Sequence, residues 1–230
     1  MVAQRQTGFS LVEMMLATLL SVSLSVAATE WFISILSLTR SQQVSIESNE
    51  IGRFVLRYME INIEKAGAGT GDQPAISFSG DDLIVRYQSE LPLIGEVRNC
   101  LGNKISHSLV VDQLSVEAYE LGGKELKCSS GRLVDWITEG IDDISYEVAV
   151  DQGSFLGTVF ESGRLDGVPD QYVSASEFNP ELMNPVALRV VVTAYKPIES
   201  NPFKSNYWQR SSPEDFMSRK FTTLVVLPNG

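Results

Sequence analysis

The sequence predicts an α+β protein, with one long N-terminal helix packed on an antiparallel β-sheet head. Three observations predict it. No proline occurs before Pro74, so nothing upstream forbids a single continuous helix. Apolar residues from Ile51 to Ala66 recur at helical spacing. Beyond Pro74 the chain turns to short β-branched and aromatic runs bounded by Gly, Asp, Asn and Pro.

The first half of the helix is apolar. From Met14 to Thr29 there is no charged residue; Glu30 interrupts, and the apolar character resumes to Leu38. With Phe9 to Val12 added, the run exceeds the roughly 20 residues that span a bilayer core. Arg5 lies before it, which fits an N-terminus left in the cytoplasm and a translocated remainder, while Arg40, the first basic residue after it, weakens the charge asymmetry. A secretory signal, with Ala27-Ala28-Thr29 as its small-residue site, and a plain signal anchor are the competing readings. Neither accounts for Glu13. A carboxylate inside a membrane helix costs about 2.5–3.5 kcal/mol at mid-bilayer, so such a residue points to a function and a partner.

After Thr39 the helix becomes polar, and then amphipathic. Ile51, Phe54, Val55, Tyr58, Ile61 and Ala66 mark one face, with Arg53, Arg57 and Glu60 between them. Gly67, Gly69 and Gly71 are expected to end it. A helix from Phe9 to about Lys65 is roughly 85 Å long at about 1.5 Å per residue. The apolar half needs lipid or other subunits, and the amphipathic half needs a packed domain. Heptads are too short-lived to prefer a coiled-coil stalk.

Strands are expected at 83–87, 109–111, 114–119, 144–150, 186–195 and 221–227. Gly102-Asn103-Lys104 and Gly122-Gly123-Lys124 look like turns, as does Asp142-Asp143. The two cysteines, Cys100 and Cys128, are either a disulfide or two reduced thiols, and the compartment decides between them. With the N-terminus inside, the head lies outside the cytoplasm, and a Cys100–Cys128 bond is expected. It closes a loop of about 27 residues and contributes about 3 kcal/mol.

The segment Gly8-Phe9-Ser10-Leu11-Val12-Glu13 resembles the processing motif of type IV prepilins and type II secretion pseudopilins. The resemblance implies that a membrane aspartyl prepilin peptidase cuts after Gly8, on the cytoplasmic side, and methylates Phe9. It implies that Glu13 meets the N-terminal amine of a neighbouring subunit during assembly. A buried ammonium and a buried carboxylate are each costly alone and tolerable as a pair, so the pair acts as a register device. Gly8 suits a peptidase because it lets the backbone approach closely. The stretch from Ile51 to Gly69 is similar to the helix end of PilW-type minor pilins. More loosely, so are the block Val134 to Asp151, the segment Asp166 to Val173, the strand containing Arg189 and the final Arg219-Lys220-Phe221-Thr222-Thr223 strand. Many major pilins carry proline where this chain has Glu30, which argues against an abundant major subunit.

The expected organisation is a leader at 1–8, a transmembrane and filament-core helix at 9–38, the periplasmic half of that helix at 39–69 and a β-rich head at 70–230. The function implied is that of a minor pilin in type IV pilus assembly, held in the inner membrane with its head in the periplasm and then carried to the cell surface. Its partners would be the peptidase and other major and minor pilins. A type II secretion pseudopilin is the alternative; a membrane-anchored binding module or enzyme is the alternative of another class.

Other chemistry is not expected. The net charge of −11, from 18 basic and 29 acidic residues, argues against nucleic acid as a partner. The one histidine, His107, has no nucleophile motif around it and reads as a strand residue. No cofactor is expected. Asp151, Asp166 and Asp170 are the one calcium candidate, but they lack the Asp-x-Asp-x-Asp-Gly ladder, and an acidic surface turn is preferred to a metal site.

Overall fold

The computed structural model describes residues 10–71, 73–88, 97–105, 109–118, 124–151, 169–197 and 216–227. Among the described residues one helix, α1 (Leu11–Ile63), precedes nine strands: β1 (Ile76–Ser79), β2 (Asp82–Tyr87), β3 (Val110–Ala118), β4 (Lys124–Ser130), β5 (Leu133–Glu139), β6 (Ile141–Asp151), β7 (Gln171–Ser174), β8 (Asn184–Pro197) and β9 (Phe216–Val226). Among the described residues the strands form two antiparallel sheets, ordered β1-β2-β3-β4-β5 and β7-β6-β8-β9. The α+β expectation of a long helix on antiparallel strands is the architecture found, with two sheets where one was expected.

The chain crosses from the first sheet to the second at Gly140, between β5 and β6. Its φ of 83° lies in the left-handed region. A Cβ there would sit 2.9 Å from Ile51 Cδ1 and 3.2 Å from the Tyr195 carbonyl oxygen. Both the conformation and the close approach of α1 and β8 therefore require glycine. The sheets also meet through aromatic rings: Phe78 on β1 lies 5.4 Å from Tyr146 on β6 and 5.9 Å, edge-on, from Phe178.

α1 lies on β8 and β9. Val55, Met59 and Ile63 of the helix join Leu83, Val85, Leu114, Leu126, Val148, Leu188, Val190 and Val192 in one buried core. That core draws on both sheets, so the helix end and the strands stabilise each other by shared burial of apolar surface.

Several expectations are corrected. The helix stops at Ile63, short of Lys65; Ala66 N–H already bonds the Ile63 carbonyl, a tighter turn that ends the helical ladder. Residues 110–118 form one strand instead of two runs. Asp112, which lay outside both expected runs, is accommodated in the strand because its carboxylate has partners inside the fold. Asp142 and Asp143 lie in β6, where the pairing register shifts, and not in a turn. β1, β4, β5 and β7 were not expected. β4 reads as polar, yet its alternate residues Leu126 and Cys128 are fully buried.

Candidate assembly helix and its seat in the head

Among the described residues, nothing packs around the first half of α1. Every residue from 10 to 40 is exposed. The best 18-residue window has a mean hydropathy of 1.9, and this helix is long and apolar enough to cross a membrane. Several of its hydroxyls are satisfied within the helix: Thr18 donates to Met15 O at 2.9 Å, Ser21 to Ala17 O at 2.9 Å, Ser25 to Ser21 O at 2.8 Å and Thr29 to Ser25 O at 2.8 Å. Such back-bonding lets Ser and Thr sit in an apolar medium without an orphaned group.

The two carboxylates in this half, Glu13 and Glu30, cannot be satisfied that way. Both are exposed carboxylates set among exposed apolar side chains. Glu13 occupies the first turn, where the helix dipole and free backbone N–H groups favour a negative charge. Ser10 is the N-cap, and Ser10-x-x-Glu13 has the spacing of a capping box, but Ser10 makes no side-chain cap bond.

The second half is seated. Ser48, Gly52, Val55, Met59, Asn62 and Ile63 form its buried stripe at helical spacing. At Gly52 a Cβ would fall 2.2 Å from the Phe221 ring on β9, so the helix approaches the sheet as closely as only glycine permits. Beside this contact Arg219 on β9 donates to Asn49 Oδ1 at 3.0 Å.

The end of the helix is tied to the cysteine loop, residues 97–105. Tyr58 Oη donates to the Cys100 carbonyl at 2.8 Å. Lys65 Nζ donates to Asn62 Oδ1 at 2.9 Å and to the Arg98 carbonyl at 3.0 Å, and it lies 5.7 Å from the Tyr87 ring centroid. Asp112, fully buried, accepts from Tyr87 Oη at 2.6 Å and from the Cys100 N–H at 2.8 Å. Burial pushes both the Tyr58 and Tyr87 hydroxyls above the ordinary phenol range, followed at Tyr58 by the Asp112 charge and at Tyr87 by the hydrogen bond to Asp112 and then its charge. Burial lowers Lys65 from its ordinary value, and the Asp112 charge opposes that shift. Cys100 and Cys128 are joined as a disulfide, with Cα atoms 6.2 Å apart.

Of the other residues singled out in the sequence, Gly8, Phe9, His107, Asp166, Gly122 and Gly123 lie outside the described residues. Asp151 is buried at the end of β6, and Asp170 is exposed, its N–H bonding the Val150 carbonyl at 2.9 Å. Among the described residues no group of three or more His, Cys, Asp or Glu is placed to hold a metal ion. Sequence reasoning missed Ser48, Gly52, Asn62 and Asp112. A signal existed for Gly52, since an isolated glycine inside a strong helical pattern marks close packing.

No protein-family model and no curated protein matches the chain. Among solved structures it is similar to a type IV-like pilin from Thermus thermophilus, at 13% identity and a TM-score of 0.43, over 80% of this chain and 97% of that one. An overlap of this size decides nothing by itself.

Proposed function

We propose that this chain is a minor pilin of the PilW type, held in the inner membrane by the first half of α1 and drawn into a type IV pilus by lateral packing of that helix. One observation carries the reading: a single unbroken helix leaves residues 10–40 bare and apolar, with Glu13 in its first turn, while its far end is seated in a folded head. A surface so large and apolar has to be covered by lipid or by other helices. In this reading a prepilin peptidase cuts between Gly8 and Phe9 and methylates Phe9. The cut creates an ammonium that a neighbour's Glu13 neutralises, and the pair sets the axial register between subunits. Methylation keeps the amine basic, so the charge persists.

Mass spectrometry of the mature N-terminus tests the processing step. The expected chain begins at methylated Phe9; a mature chain retaining residues 1–8 sinks the proposal. The assembly step is tested by Glu13→Ala, which should still be cleaved yet be lost from sheared filaments. Unchanged incorporation of that variant counts against the charge pair.

A further inference from the structure

The helix end and the disulfide meet at one buried place. The Cys100 main chain is held from two sides, its N–H by Asp112 Oδ2 and its carbonyl by Tyr58 Oη, each at 2.8 Å. The loop around it is internally braced: Asn99 Oδ1 accepts from the Leu101 N–H at 3.1 Å and the Asn103 N–H at 2.8 Å. Cys100 is 5% exposed and Cys128 0%, so solvent hardly reaches the bond in the closed head. Asp112 has its second oxygen buried with no hydrogen-bond partner among the described residues. A buried carboxylate in that position depends on the two donors it has, Tyr87 Oη and the Cys100 N–H.

We propose that the seating of the last turns of α1 and the Cys100–Cys128 bond form one latch, coupled by Tyr58 and Asp112 as positioning residues. The seated helix end shields the bond and aligns Cys100 for it. The bond holds in place the loop on which the helix end docks. Coupling of this kind is reciprocal: whatever the disulfide contributes to seating the helix, the seated helix contributes to keeping the disulfide. An order of events follows. Thiol–disulfide exchange needs access to a sulfur atom, so the bond is made before the helix end closes over it. In that step the two thiols of Cys100 and Cys128 lose two electrons and two protons and become one disulfide. The oxidant, a protein disulfide, takes them up and becomes two thiols. The latch does not depend on what the exposed half of α1 assembles with, so a chain that never enters a filament tests it equally well.

The experiment uses the full oxidised chain in detergent with a water-soluble phosphine. The phosphine reduces the disulfide to two thiols and leaves as phosphine oxide, its oxygen taken from water. Free thiols are alkylated at timed intervals and counted by mass. Tyr58→Phe and Asp112→Asn should lose the bond roughly fivefold to tenfold faster than the parent, the scale of one lost buried hydrogen bond. Trp136→Phe, an exposed change on β5, should match the parent. In the reduced parent, amide exchange should speed up at 58–65 and 97–105 while β6 and β8 stay protected. Equal reduction rates in the parent and both latch variants overturn the proposal, as does unchanged protection of 58–65 after reduction. Should Asp112→Asn fail to fold, Tyr58→Phe, which removes a hydroxyl and leaves the ring, decides the rate test alone.

Discussion

From Leu11 to Arg40 every residue of α1 is exposed, whereas from Ser48 to Ile63 the same helix buries six residues, one of them Gly52, against the head. No break separates the two halves, so backbone propensity does not distinguish them. What differs is the surroundings each side-chain pattern requires. The first half is apolar all round, which suits lipid or a bundle of helices. The second carries a stripe, narrowed to Ser48 and Gly52 where the sheet comes closest. The lesson is that one helix can be stable in two media when each half meets its own surroundings: hydroxyl back-bonding in the first, apolar burial against the sheet in the second, where the buried Ser48 hydroxyl has no hydrogen-bond partner among the described residues.

The largest test of this contrast is to cut between the halves. Removing residues 1–39 should move the chain from the membrane fraction to the soluble fraction and leave the head folded. A truncated chain that no longer melts cooperatively would show that the head needs the exposed half. Next in size, Gly52→Val should cost about 3 kcal/mol, the upper range for overpacking, because the new side chain meets the Phe221 ring. Adding Phe221→Ala should recover part of that loss. Additive losses in a denaturant double-mutant cycle would disprove the contact. Within a pair of truncations, Ile63→Ala should cost about 2–5 kcal/mol and Leu20→Ala less than about 0.5, since only Ile63 is buried in the described fold. Comparable losses at the two sites would end the distinction between the halves.

The effect smallest per group is a pH dependence of the folded head, carried by buried tyrosines on α1, β2 and β6. Tyr58, Tyr87 and Tyr146 all have hydroxyls raised above their unfolded value of 10.0, chiefly by burial. A raised phenol keeps its proton in the folded state after the unfolded chain has lost it. Stability is therefore intact below pH 10 and falls above it, by at most about 1.4 kcal/mol per pH unit for each tyrosine. Lys65 acts oppositely: its folded value is lowered, so stability rises as pH climbs from that value towards 10.5. One lowered lysine against four raised tyrosines, Tyr195 among them, leaves the fall dominant. A melting midpoint unchanged between about pH 9.5 and 11.5 would contradict these shifts.

Much of the fold was legible because its signals are local. The apolar run, the amphipathic stripe at Val55 and the long β-branched strand around Val190 are read from one window each. β4 was not, because Lys124, Glu125 and Lys127 dominate its composition while only Leu126 and Cys128 face the core. Asp112 fell between the two expected strands, 109–111 and 114–119; its partners lie 25 residues back, at Tyr87, and 12 back, at Cys100. Distances of that kind along the chain carry no short-range pattern.

By itself the sequence determined that α1 is one helix with two characters, that Glu13 and Glu30 stand in an apolar stretch, and that the chain beyond Pro74 is β-rich. These follow from periodicity and from the cost of charge in an apolar medium, which neighbouring residues reveal. Only the tertiary structure decided that the strands divide into two sheets at Gly140, that Gly52 is the point of closest approach, and that the disulfide, Asp112 and the helix end form a single buried cluster. Each of these depends on surfaces far apart in the chain being brought together, where excluded volume and buried polar groups choose the residue.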